Sequence, residues 1–215
     1  AAASIEEALQ GAELILSLVT ADQALAVARD YAPHITPGTL WCDMNSVAPE
    51  TKRAAGIVVE KHGGRYIDVA VLAPVHPARL QVPLLLSGRA ALNAEVALHE
   101  AGFGNSRVVS KEIGQASAIK MIRSIMVKGI EALTDEMMQA AAAAGVTDEV
   151  LASLDASEKA VSWRERAAYN LERMHNHGLR RAAEMEESAK TLESLGVAPI
   201  MTQGTVKRQR DAGVK

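Results

Sequence analysis

From Glu13 to Ser110 short apolar runs alternate with amphipathic stretches. The runs Leu14–Val19, Thr39–Asp43, Tyr66–Leu72, Val82–Ser87 and Arg107–Val109 have the length and the aliphatic content of strands. Between them Ala21–Tyr31, Pro49–His62 and Arg89–Ala101 read as helices, with Pro33, Pro37, Gly38 and the Gly63-Gly64 pair as breaks. Strand and helix alternating at this spacing predict crossover units and a largely parallel sheet.

After Gly114 the pattern changes, and the chain becomes rich in Ala, Glu, Met, Leu and Arg. Residues from Gln115 to Ala144 contain no proline and one glycine, Gly129, which predicts a single helix of about 45 Å ending at Gly145. Its apolar residues Ile119, Ile122, Met126, Ile130, Leu133 and Met137 are set among other apolar neighbours, which favours a buried connecting helix over a coiled-coil strand. Further helices are expected over Thr147–Leu154, Ser157–Met174 and Gly178–Leu195, with a short polar one near the C-terminus. The predicted fold class is therefore α/β: a parallel-sheet domain over residues 1–113, followed by an all-α domain over 114–215, joined through a long helix.

Composition narrows the partners. The 215 residues are 48% hydrophobic and 23% charged, enough for real cores, and the net charge of -3 has both signs spread along the chain. Only 3% are aromatic, so neither field nor stacking surface points to nucleic acid. The single cysteine, Cys42, fits a reducing compartment and reads as a small buried hydrophobe. With no apolar run of membrane-spanning length and no basic-then-apolar start, a soluble, cytoplasmic protein without a membrane partner is expected.

Lys120 stands out chemically, one turn into the long helix with apolar neighbours on both sides. Its ammonium either snorkels to solvent as part of a polar stripe or sits in a partly buried pocket. Burial would lower its pKa and let it take a proton from a substrate hydroxyl as hydride leaves the same carbon. Arg123 and Ser124 share its helix face, so a cation and a hydroxyl converge on the space beside it. Asn45 and Ser46 follow a strand directly, and Val19 and Thr20 end another. At the carboxyl ends of parallel strands such residues either touch a ligand or cap a turn. Arg173, Arg180 and Arg181 cluster around His177, and either hold an acidic substrate group or pair with Glu172, Glu184 and Glu187. His175 and His177 are two apart on a helix and lack further ligands nearby, so no metal site is expected.

Four of these segments, in order, resemble the β-hydroxyacid dehydrogenase superfamily, which includes 3-hydroxyisobutyrate and 6-phosphogluconate dehydrogenases. They are Leu14–Val19, Trp41–Ser46, Tyr66–Val71 and the glycine-to-lysine helix start Gly114–Lys120. The runs Lys128–Leu133 and His177–Met185 are similar to a phosphogluconate-dehydrogenase-like branch with its own C-terminal domain. The resemblance implies a Rossmann-like domain binding NAD or NADP, with Val19, Thr20, Asn45 and Ser46 at the cofactor and Lys120 as general acid/base. It also implies a small-molecule hydroxy-acid or alcohol substrate near Arg123, Ser124, Leu72 and Ala73, and a homodimer formed through the helical half.

Departures from the family pattern are informative. Leu72-Ala73-Pro74 stands where better-known members carry a serine and glycines, which leads us to expect a less polar or bulkier substrate, and Ser124, with Arg123 just before it, stands where they have an amide. The phosphate-binding Gly-x-Gly-x-x-Gly turn is missing; Gly102-Phe103-Gly104 lacks the third glycine and precedes a strand. The Rossmann-like domain is thus expected to be incomplete, with about two crossover units, roughly 60 residues, upstream of this sequence. Alternatives are imine reduction, against which the retained lysine argues, and a non-catalytic oligomerisation or ligand-binding module.

Overall fold

The computed structural model describes residues 2–157, 163–194 and 196–214. Two compact units divide the chain, Ala1–Ile125 and Met126–Lys215, and the boundary falls inside one helix.

The first unit is an α/β layer. A short helix α1 (Ile5–Leu9), capped by the Ser4 hydroxyl, precedes strand β1 (Leu14–Ser17). Then follow α2 (Ala24–Tyr31), β2 (Leu40–Asp43), α3 (Pro49–Lys61), β3 (Arg65–Val71), β4 (Leu84–Ser87), α4 (Ala91–Glu100) and β5 (Ser106–Ser110). Helix α3 begins at Pro49, whose ring fixes the backbone for the first turn and whose missing N–H costs nothing there. The five strands lie side by side in sequence order.

All five expected strands fall within about two residues of their places. The first is shorter, because β1 stops at Ser17 and leaves Leu18, Val19 and Thr20 beyond its carboxyl end. The sheet also departs from uniform parallel pairing. Strand β3 pairs antiparallel with β4, whereas β1–β2, β2–β3 and β4–β5 are parallel. Only a single 3-10 turn, Arg79–Gln81, lies between β3 and β4, so the chain returns antiparallel through residues 72–83 instead of crossing over.

Alternation along the strands sends side chains to two apolar layers. Trp41 and Tyr66 pack with Ala28, Ala55 and Val59 from α2 and α3. Cys42, Ile67 and Val69 face the other way, onto Ala91, Ala94 and Leu98 of α4. Small alanines on the helices let them approach the sheet closely.

Helix α5 (Gln115–Ala144) has the bounds expected from the sequence, but Ile119, Ile122, Met126, Ile130 and Leu133 are exposed along it, which corrects the expected burial. The second unit continues with α6 (Thr147–Ser157), α7 (Trp163–Ser194) and α8 (Ile200–Gly213). The two expected helices on either side of Gly178 are one helix, α7, and this corrects the sequence reading. Gly178 is a contact point within the helix and not its start: it is buried against the backbone of Gln209 and Gly213 on α8. Residues 158–162 and Leu195, which the expected helices include, lie outside the described residues. No described helix is long and apolar enough to cross a membrane.

Candidate functional site

A row of polar residues crosses the sheet. Ser17, Asp43, Asp68, Ser87 and Ser110 are register partners from β1 to β5, and the first four are buried. Carboxylates in such a position need partners. Lys52, fully buried on the inward stripe of α3, supplies one. Its Nζ donates to the Asp43 carbonyl at 2.6 Å and to Asp43 Oδ1 at 2.9 Å, and stands 3.6 Å from Asp68 Oδ1. Tyr66 donates its hydroxyl to Asp43 Oδ2 at 2.6 Å. Burial, and then the Asp43 and Asp68 charges with the bond to Asp43, push the Tyr66 pKa well above 10, so the phenol remains a neutral donor. Burial, aided by Asp43, also raises the Cys42 thiol to about 12, which keeps it protonated and inert.

Asp68 meets the start of α5. Its Oδ2 accepts from the Ser87 hydroxyl at 3.0 Å and from the amides of Gly114 and Ser117 at 3.1 and 2.9 Å. Ser87 Oγ in turn accepts the Ala116 amide at 3.0 Å. The turn into the helix requires a positive φ of 99° at Gly114, where a side chain would be strained and would also meet Arg53.

At the carboxyl end of β2 the chain makes a polar turn. The Asn45 amide donates to Asp43 Oδ1 at 2.9 Å, and the Asn45 side chain donates to Ser17 Oγ at 3.1 Å and accepts the Val19 amide at 2.7 Å. Asn45 is thus buried and ties β1 to β2, while Ser46 next to it is exposed. Lys120, half-buried one turn into α5, donates its Nζ to Ser46 Oγ at 2.6 Å. Arg123 reaches the Leu72 carbonyl at 3.4 Å.

The residues singled out from the sequence therefore divide. Val19, Asn45, Ser46 and Lys120 are linked by hydrogen bonds at the carboxyl ends of β1 and β2, and Arg123 is linked to Leu72 at the end of β3. Thr20 and Ala73 are exposed and Ser124 is half-buried. Arg180 and Arg181 belong to α7 in the second unit, exposed and half-buried respectively. Among the described residues no group of three or more His, Cys, Asp or Glu side chains is arranged to hold a metal. The buried partners Lys52, Tyr66, Asp68 and Ser87 escaped the sequence reading. A signal was present, because Asp43 and Asp68 each interrupt an apolar strand, and Lys52 shares a helical stripe with Ala55 and Val59.

The carboxyl edge suits one end of a dinucleotide. Leu18 and Val19 are 67% and 39% exposed there, an apolar surface for a flat ring, beside the polar groups of Thr20 and Ser46. Amides for a pyrophosphate are a different matter, since no Gly-x-Gly-x-x-Gly turn occurs in this sequence.

Known proteins share this chain's domains and fold. The family described as the NAD binding domain of 6-phosphogluconate dehydrogenase matches residues 1–98, and a domain of unknown function, DUF1932, matches residues 141–212. A conserved hypothetical protein from Sinorhizobium meliloti is 37% identical, over 96% of this chain and 68% of its own, with a TM-score of 0.61. A conserved protein of unknown function, described as structurally similar to 3-hydroxyacid dehydrogenases, is 32% identical over 92% of this chain and 73% of its own, with a TM-score of 0.57. An imine reductase from Streptomyces aurantiacus shares the fold, with a TM-score of 0.79 at 22% identity over 98% of this chain and 77% of its own. The cofactor is NAD or NADP, and the chain belongs to the β-hydroxyacid dehydrogenase superfamily, in the branch that joins a 6-phosphogluconate-dehydrogenase-like NAD-binding domain to a DUF1932 domain.

Proposed function

We propose that this protein, an NAD(P)-binding oxidoreductase by family, interconverts a small hydroxy acid or related alcohol and its carbonyl form, with Lys120 as the general acid/base. The observation that carries the reading is the 2.6 Å hydrogen bond from Lys120 Nζ to Ser46 Oγ at the carboxyl edge of the sheet. The nicotinamide cofactor accepts or supplies the hydride. Val19, Thr20, Asn45 and Ser46 would hold it.

In the oxidative direction a neutral Lys120 takes the substrate's hydroxyl proton; in reverse, the ammonium donates it to the carbonyl oxygen. Ser46 holds the amine at the carboxyl edge of the sheet, which would bring the proton acceptor beside the residues that would hold the cofactor. Arg123, with Ser124, offers charge and hydrogen bonds to an acidic substrate group. Leu72 and Ala73, in place of a glycine-rich loop, favour a less polar or bulkier substrate.

A second copy of the chain is the partner we propose for the helical unit. Met126, Ile130 and Leu133 on α5 and Leu171 and Leu179 on α7 are exposed apolar residues, which sedimentation of the full-length protein as a dimer would account for. The lone buried Cys42 fits a cytoplasmic setting.

The test is made on the full-length protein. NADH and NADPH binding is followed by fluorescence, and turnover on a panel of hydroxy acids, their keto forms and, given the shared fold, cyclic imines. Lys120→Ala should lower turnover about 10²- to 10⁴-fold and leave nucleotide affinity intact. Failure of the full-length protein to bind either nucleotide would sink the proposal, and turnover confined to imines would replace the substrate class.

A further inference from the structure

The proton-transfer pair comes from two separate pieces of chain, 74 residues apart, and both hang from the buried polar row. Ser46 follows Asn45, which is bonded to Ser17 and Asp43. Lys120 follows the first turn of α5, whose amides are bonded to Asp68 and Ser87. Lys52 spans the two carboxylates.

We propose that Asp68 is a positioning residue for this pair: from β3 it caps the helix that carries Lys120, and through Lys52 it ties that helix to the Asp43–Asn45 turn that carries Ser46. The inference rests on the reading of Lys120 as the group that moves the proton.

The usual N-terminal cap of a helix is the residue just before it. Here the amides of Gly114 and Ser117 are taken by a carboxylate from 46 and 49 residues away. A local cap would fix the helix only to its own loop. A cap fixed in the middle of the sheet fixes both the height and the rotation of α5 relative to β2 and β3. Lys120 lies three residues beyond Ser117, so a small rotation at the cap carries its amine off the Ser46 hydroxyl. An error of about 1 Å in such a group is enough to cost on the order of 100-fold in rate.

Charge makes Asp68 more than a hydrogen-bond acceptor. Its Oδ1 has no hydrogen bond and faces Lys52 Nζ at 3.6 Å. One lysine thus serves two buried carboxylates, and the partial positive charge at the start of α5 serves the second of them. If Asp68 becomes neutral, the helix start loses its counter-charge and Lys52 is drawn wholly to Asp43.

The experiment compares Asp68→Asn with the unsubstituted full-length protein. Two quantities are read: kcat across pH, with nucleotide affinity alongside, and the pH-dependent rate at which acetic anhydride acetylates Lys120, by peptide mass spectrometry. The exposed Lys61 serves as the internal control. The expected result is a kcat lowered about 10- to 100-fold with a displaced pH profile and nucleotide affinity within about threefold. Lys120 acetylation should change by about threefold or more as its hold on Ser46 loosens, with Lys61 unchanged. A folded Asp68→Asn protein whose kcat profile and Lys120 reactivity match the unsubstituted protein overturns the inference. Ser87→Ala, which removes the bond to the Ala116 amide without altering any charge, should move both quantities in the same direction by less, and it decides the matter if Asp68→Asn does not fold. Absence of turnover in the unsubstituted protein would count against the hydride-transfer reading alone, and Lys120 acetylation would still decide the positioning.

Discussion

Glu136 Oε1 accepts both the amide and the hydroxyl of Thr202, at 2.9 and 2.6 Å, so that a carboxylate on α5 caps the first turn of α8. Its other oxygen takes the Met201 amide at 2.7 Å. Inside the helical unit this repeats the device seen at Asp68, where a distant carboxylate satisfies the free amides of a helix start.

Glu136→Gln should destabilise the helical unit by about 1 to 2 kcal/mol, read by urea denaturation, because an amide has one acceptor oxygen and puts an N–H donor in place of the other. Burial presses the Glu136 pKa upward, but the Thr202 hydroxyl and the amides of Met201, Thr202 and Ile200 outweigh it and hold the pKa below 4.5. The stabilisation is therefore complete above the ordinary value and is lost as pH falls through the lower folded value. The stability gap between the two proteins should narrow below about pH 4.5.

Helices α7 and α8 touch through glycines. A Cβ on Gly213 would lie 2.6 Å from the Leu179 amide nitrogen, and one on Gly178 would lie 2.8 Å from the Gly213 nitrogen. Gly178→Ala and Gly213→Ala should each cost about 1 to 3 kcal/mol, since backbone must move to make room. Gly204→Ala, on the same helix with nothing within 4 Å, should be neutral or stabilising by up to about 1 kcal/mol. Thermal melts of the three variants test the contrast.

Lys52→Met removes the buried cation between two carboxylates and should cost about 3 to 5 kcal/mol. Tyr66→Phe removes one donor and should cost about 1 to 2 kcal/mol. The folded Tyr66 pKa is raised, so its contribution is present below pH 10 and is lost as pH rises through the folded value. Stability measured above pH 10 should accordingly fall less steeply in Tyr66→Phe than in the unsubstituted protein.

Ser46→Ala leaves Lys120 its charge and removes its hydroxyl partner. Turnover should drop by about 10-fold, with a smaller change in KM. Arg123→Gln should act oppositely, raising KM for acidic substrates about 10-fold and leaving that for neutral alcohols nearly unchanged. Steady-state kinetics on one acidic and one neutral substrate separate the two.

The strands were legible because each is a short apolar run bounded by turn residues, and α5 because thirty residues pass without a proline. Lys120, Ser46 and Asn45 were legible as polar groups at element ends. The hydrogen bonds joining them were not, since Ser46 and Lys120 are brought together by sheet register and helix placement, which local pattern does not encode. The break placed before Gly178 was misleading for a related reason. A glycine that lets two helices meet looks in sequence like one that bounds a helix. The antiparallel β3–β4 pair was equally hidden, because an apolar strand carries no mark of direction.

The polar row across the sheet has a bearing on how the chain finds its fold. A slip of one residue between neighbouring strands reverses the face of every side chain. Here it would drive Asp43 or Asp68 into the layer of Cys42, Val69 and Leu98, away from Lys52. Aliphatic strands alone tolerate several alignments of similar energy. A lysine and two aspartates accept only one, so the same residues that hold the reactive edge together also act as a lock on strand alignment while the sheet assembles.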